Sequence, residues 1–167
     1  MTTSIKTSPK ERKLGFRILF LEMFAIGTGH THFIAVLPPY ARGLGLSEVQ
    51  VGFIFSLSAL GWMMMSPFWG RKSDFIGRKS IIILGLLVYA FTTILMGLEF
   101  RLNELGYINL STLFGLLIFT RGCYGFLGSG AHSASMANVA DRTTENERSG
   151  VMAVMGSAFE ISGIVGP

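Results

Sequence analysis

The chain has 167 residues, half of them hydrophobic and only 14% charged, with a formal net charge of +4. A soluble domain carries about 25% charged residues and rarely leaves a long helix without a charge, so an ordinary soluble fold is excluded. Mean hydropathy is +0.51, and the charge-free runs Val49–Gly70, Ile81–Leu98 and Gly106–Thr120 approach the ~20 residues that cross a hydrocarbon core.

Five hydrophobic segments are predicted as helices, at about 14–37, 48–69, 80–99, 109–136 and 149–167. The fold class is therefore an all-α integral membrane helix bundle. The runs lack the ten-residue alternation of barrel strands. Residues 1–13 read as a basic cytoplasmic tail preceding a partial half of a membrane bundle, 14–167. The first segment carries Glu22 and has no small-residue cleavage site before Pro38 and Pro39, so it reads as a spanning helix rather than a cleaved signal. Cys123 is the sole cysteine, which rules out a disulfide framework within the chain.

The cations give the orientation. With the N-terminus inside, Lys6, Lys10, Arg12, Lys13, Arg17, Arg71, Lys72, Arg78, Lys79, Arg142 and Arg148 all fall on the cytoplasmic side, and only Arg42 and Arg101 outside. Cytoplasmic loops carry such an excess. The basic balance is thus topological, and nucleic acid is not an expected partner.

Between the second and third segments stands GRKSDFIGRKS, residues 70–80. A short cytoplasmic loop accounts for its four cations and its glycines. It accounts neither for Asp74 nor for the repeated Gly-Arg-Lys spacing. Gly70, Asp74, Gly77, Arg78 and Lys79 resemble the G-x-x-x-D-[RK]-x-G-[RK]-[RK] motif between helices two and three of the major facilitator superfamily. Phe75 stands where that motif has a cation. Two further stretches are similar to family patterns. RGCYGFLG from Arg121 resembles R-x-x-Q-G of helix four, with Tyr124 in place of Gln, and SGIVGP resembles the antiporter pattern of helix five, through Ser162, Gly166 and Pro167. The segment from Val36 to Asp74 also looks like the corresponding part of tetracycline and multidrug efflux antiporters.

The resemblance implies the first five of twelve helices, in a transporter whose halves rock about a midplane site. It implies a latch between Asp74 and Arg78, and a C-terminal half as the missing partner. The expected function is proton-coupled export of a small, lipophilic molecule, in a bacterial cell membrane. A uniporter or symporter of the same family, or a non-transporting remnant or scaffold, are the alternatives. No cofactor beyond a coupling proton is expected.

Charges inside the spans cost ~2.5–3.5 kcal/mol each on insertion scales, so Glu22, Arg121 and Glu160 need a reason to be there. At 100° per residue, Arg121 shares a stripe with Gly125, Gly128, His132 and Ser135, expected to face a cavity. The glycines on that stripe would equally suit close helix packing. Glu160 shares a face with Ala153, Gly156 and Gly163. Glu22, Arg121, Glu160 and His132 are the expected proton and substrate translocation residues. His30 and His32 are two apart and cannot face one ion from a helix, so no metal site is expected. Neither H-E-x-x-H nor a phosphate-binding Gly-rich loop occurs, and no enzyme is expected. The third segment, uncharged through most of its length, reads as lipid-facing scaffold.

Overall fold

The computed structural model describes residues 9–165. It holds five helices and no strand among the described residues: α1 (Pro9–Gly43), α2 (Glu48–Ile76), α3 (Arg78–Glu104), α4 (Leu110–Asp141) and α5 (Glu145–Val165). Helices α1 to α4 are each long and apolar enough to cross a membrane. Within its described residues α5 does not reach that measure, since its 21 residues include Glu145, Glu147, Arg148 and Glu160. The protein is an integral membrane helix bundle.

Local chemistry sets the boundaries. Pro9 opens α1, a position where its missing N–H costs nothing, so Lys10, Arg12 and Lys13 are helical instead of lying in a tail. The α2 start is a reciprocal cap: Gln50 N–H donates to Ser47 Oγ (3.3 Å) and Ser47 N–H donates to Gln50 Oε1 (2.9 Å). Asn109 Oδ1 accepts from Thr112 N–H at 2.8 Å to start α4. The stretch expected to form a cytoplasmic loop is mostly helix. α2 runs on to Ile76, and Gly77 at φ +101° turns the chain directly into α3. Only glycine takes that backbone angle without strain.

α1 packs chiefly against α5, while α2, α3 and α4 form a second set. Two apolar cores tie the sets together. One holds Leu19 and Met23 with Ile81, Ala134, Val139, Met155 and Ala158. The other holds Phe33, Leu37 and Ala41 with Val51, Ile54, Leu113 and Leu117. Between the two lies a belt of polar and aromatic side chains.

One irregularity shapes that belt. Residues Tyr124–Gly128 of α4 form a turn of π-helix, and such turns recur at functional positions. The wider turn rotates everything beyond it relative to a regular helix, so the single stripe expected on α4 is divided. Gly125 packs against the backbone of Ser58 on α2, and neighbouring Ala131 sits on Gly85 of α3. Gly125 therefore serves close packing and not a cavity. Gly128 lies under the Tyr124 ring.

Candidate functional site

Two cavities meet at Arg121. The larger, about 580 Å3, opens between α1, α2, α4 and α5, and its lining includes His30, Trp62, Arg121, Tyr124, His132 and Phe159. The smaller, about 310 Å3, lies between α1, α3 and α4 and is also lined by His30, Arg121 and Tyr124, with Tyr40, Tyr89 and Thr92. Arg121 and Tyr124 are the wall between them.

Arg121 is 7% exposed. Its guanidinium lies 3.9 Å from the Phe33 ring centroid and 4.6 Å from that of Tyr124, so aromatic faces cover the cation. Its Nε is buried without a hydrogen-bond partner, and no carboxylate lies within ion-pair distance of it among the described residues. An aromatic row continues from Tyr124 to Trp62 (centroids 5.7 Å apart), to His132 (6.1 Å) and to Phe159 (6.2 Å). The structure thus brings Arg121 and His132 to one cavity despite the π-turn between them.

Glu22 is 7% exposed and lies in the seam between α1 and α4, where Ser135 Oγ donates to its Oε2 at 2.8 Å. Its Oε1 is buried with no partner. It lines neither Arg121 cavity; eight residues before His30, it sits about 12 Å lower along α1. Glu160 is on an exposed face of α5 with Ala153 and Gly163, apart from Arg121 and Glu22. Ser162 is fully buried against Gly27, and Thr31 Oγ1 donates to its carbonyl at 3.1 Å, so it closes the α1–α5 seam. Gly166 and Pro167 lie outside the described residues.

The motif between α2 and α3 builds a polar cluster around Arg78. Arg78 pairs with Asp74 at 2.5 Å and with Asp141, at the end of α4, at 3.0 Å. It also donates to the Gly70 carbonyl at 3.2 Å and to Ser73 Oγ. One cation therefore ties the ends of α2, α3 and α4. Gly70 contributes its carbonyl and Gly77 the turn, while Lys79 and Phe75 are exposed.

Sequence reasoning missed several members of these sites. Asp141 was hidden by the neighbouring cations Arg142 and Arg148, although it is the acid that ends α4. α3 is not simply lipid-facing scaffold. It turns Tyr89 and Thr92 to the smaller cavity and buries Glu99, 2% exposed, against α4, where Thr120 Oγ1 donates to Glu99 Oε1. Glu99 Oε2 has no partner. Its position seven residues after Thr92, on the same helical face, was the available signal.

The sequence model of the Major Facilitator Superfamily matches residues 19–167. The chain belongs to that superfamily. It is 32% identical over 163 residues to multidrug resistance protein 2 of Bacillus subtilis (strain 168), covering 98% of the chain and 38% of that protein. Quinolone resistance protein NorA of Staphylococcus aureus is 37% identical over 73 residues, 44% of the chain and 19% of NorA. The chain thus spans well under half the length of these superfamily relatives.

Proposed function

We propose that the chain supplies part of a secondary transporter that exports small lipophilic molecules in exchange for protons, by alternating access. The observation that carries this reading is a pair of opposite charges kept apart inside the membrane. Arg121 faces a cavity without a carboxylate, and Glu22 is buried with one donor and one unpartnered oxygen. Packing alone gives no reason for either. Protonated, Glu22 can donate to Ser135 as well as accept from it, so each protonation state has its own contacts across the α1–α4 seam. The aromatic cavity gives a lipophilic cargo a place in the same half. The names of the two relatives, multidrug and quinolone resistance proteins, support efflux, and their bacterial hosts support a bacterial cell membrane.

In this reading the Arg78 cluster latches one conformation, and the N-terminus is cytoplasmic. Cysteines at Val49 and Lys72, both exposed, should then label from opposite sides. The function is tested by substrate binding and transport between about pH 5.5 and about pH 8.5, a range that spans physiological pH. Glu22→Gln is expected to bind substrate and lose the pH dependence, because Gln mimics the protonated acid. If Glu22→Gln and Glu160→Gln both keep the unaltered profile, the proton travels through other groups, with His132 next to be tested.

A further inference from the structure

The widened turn of α4 is held from outside, by α2. Changing from i→i+4 to i→i+5 bonding displaces the carbonyls of Tyr124–Gly128 from the N–H groups that a regular ladder would give them. At membrane depth a displaced carbonyl is costly unless a neighbour brings a donor. Trp69 of α2 brings one: its indole Nε1–H donates to the Phe126 carbonyl at 2.7 Å.

The helices are shaped for this contact on both sides of it. Gly61 of α2 makes room for the backbone of Gly125 and Phe126, whose nearest atoms lie 3.1 Å from where a side chain would begin. One turn beyond Phe126, Gly130 lies against the Trp69 ring, 3.2 Å from where its own side chain would begin. A β-carbon at either glycine would press α2 away from the turn.

The turn decides which face of α4 comes next. At 100° per residue a regular helix puts Ser135 about 40° from Arg121, on the side of the two cavities. One residue more in the turn rotates the rest of α4 by ~100°. Ser135 accordingly lines neither cavity and donates instead to Glu22 at 2.8 Å, in the seam with α1. Trp69 lines neither cavity as well.

We propose that Trp69 is a positioning residue for transport: its N–H holds the wide turn, and the turn presents Ser135 to Glu22. This deepens the export reading, on which it rests, by naming what sets the partner of the proposed proton carrier.

The test reads the rotation of α4 beyond the turn. Ser66 of α2 and Ser133 of α4 have hydroxyl oxygens 2.6 Å apart, so cysteines at the two positions hold their sulfurs within reach of a disulfide. In a Cys123→Ser background in phosphatidylcholine nanodiscs, Ser66→Cys with Ser133→Cys is expected to cross-link rapidly under copper phenanthroline. Trp69→Phe removes the donor and should slow the cross-link at least about tenfold, the scale of one lost partner for a buried polar group. The benzothienyl analogue of tryptophan at residue 69 keeps the ring size and has sulfur in place of N–H. It should slow the cross-link as much, and it decides the case if Trp69→Phe does not fold. Rescue comes from a deletion. Without Leu127 the turn loses its extra residue, α4 becomes regular, and Ser133 keeps its rotation, so the cross-link should be fast with or without the Trp69 donor. In vesicles, Trp69→Phe should lower the maximal flux several-fold at an unchanged half-saturating concentration, and the Leu127 deletion should restore it.

An unchanged cross-link in both Trp69 variants overturns this inference and leaves the export reading standing. A slowed cross-link that the Leu127 deletion does not restore makes Trp69 a packing residue and overturns it too. Full flux in a variant whose cross-link is slowed overturns both readings, since neither Trp69 nor the Glu22–Ser135 pair then serves transport.

Discussion

Arg78 and Arg121 are both arginines at helix–helix contacts, yet their surroundings are opposite. Arg78 is half-buried at a membrane edge and has Asp74, Asp141, the Gly70 carbonyl and Ser73 around it. Arg121 is nine-tenths buried in the belt between the two apolar cores, with the Phe33 and Tyr124 rings against it and, among the described residues, no ion-pair partner. A cation supplied with four acceptors has its fork filled, and its energy goes into holding three helix ends together. A buried cation whose Nε has no partner gains no such hydrogen bonding from the helices around it. The first arrangement joins helix ends; the second leaves a buried cation uncompensated.

The largest effect should come from removing the uncompensated cation. Arg121→Ala is expected to lower transport roughly 10- to 100-fold, the equivalent of ~1.5–3 kcal/mol for a contact to a charged group, measured as substrate flux in vesicles with expression matched. A loss of thermal stability with unchanged flux would make Arg121 structural and erase the contrast with Arg78.

Next in size is the Arg78 cluster. Asp141→Asn and Asp74→Asn should each impair flux several-fold without preventing membrane insertion, and each should cost ~1 kcal/mol of stability. The double variant should cost less than the sum, because both acids serve one arginine. Strict additivity would mean that the cluster does not act as a unit.

A smaller effect is expected at Glu99. Glu99→Gln keeps the side-chain shape and an acceptor for Thr120, so stability should hardly change. Thr120→Val, which leaves the buried carboxyl without its donor, should cost ~1–3 kcal/mol. Equal losses in the two variants would show that the negative charge of Glu99 matters to the fold.

The smallest lies at the contact of Arg12 with Glu147, 3.1 Å apart on the surface between α1 and α5. Hydrogen bonds from Arg12 and Thr144 hold the Glu147 carboxyl below its usual range. A depressed folded-state value means that the contact's contribution is present above the ordinary carboxylate range and is lost as pH falls through the depressed value. Glu147→Gln should therefore shift the melting temperature slightly at neutral pH and not at all in strong acid. Exposed pairs contribute little, and a large shift would make this a third kind of arginine site.

Much of the fold was legible in the sequence because lipid permits few choices. Charge-free runs of about twenty residues in a bilayer must close their own backbone hydrogen bonds, and helices do so. The Arg78 motif was legible for a similar reason, since Asp74 breaks an otherwise basic segment. What was not legible depends on other chains of causes. The π-turn at Tyr124–Gly128 has no sequence signature, and it takes Gly125 out of the stripe that a constant 100° per residue projects, although Arg121 and His132 still share a cavity. Glu99 sits just past a charge-free run and reads as a helix-end residue until α4 packs over it. The Arg121 cage draws Phe33 from α1 and Tyr124 from α4, a meeting that only tertiary packing creates.

The Glu22–Ser135 hydrogen bond has a consequence for how the protein is made. The partners are 113 residues apart, whereas Glu99 and Thr120 are separated by 21. At ~5–20 residues per second, α1 emerges with its carboxyl roughly 6–23 s before Ser135 is synthesised, and Glu99 waits about 1–4 s. During that interval Glu22 lacks its Ser135 donor, and exposure of a charged carboxyl to lipid is costly. The separation predicts a waiting step in biogenesis, with α1 sheltered beside the insertion machinery or its acid uncharged until α4 arrives. Slowing synthesis between α1 and α4 would lengthen the step and lower the yield of inserted protein, and Glu22→Gln would relieve it.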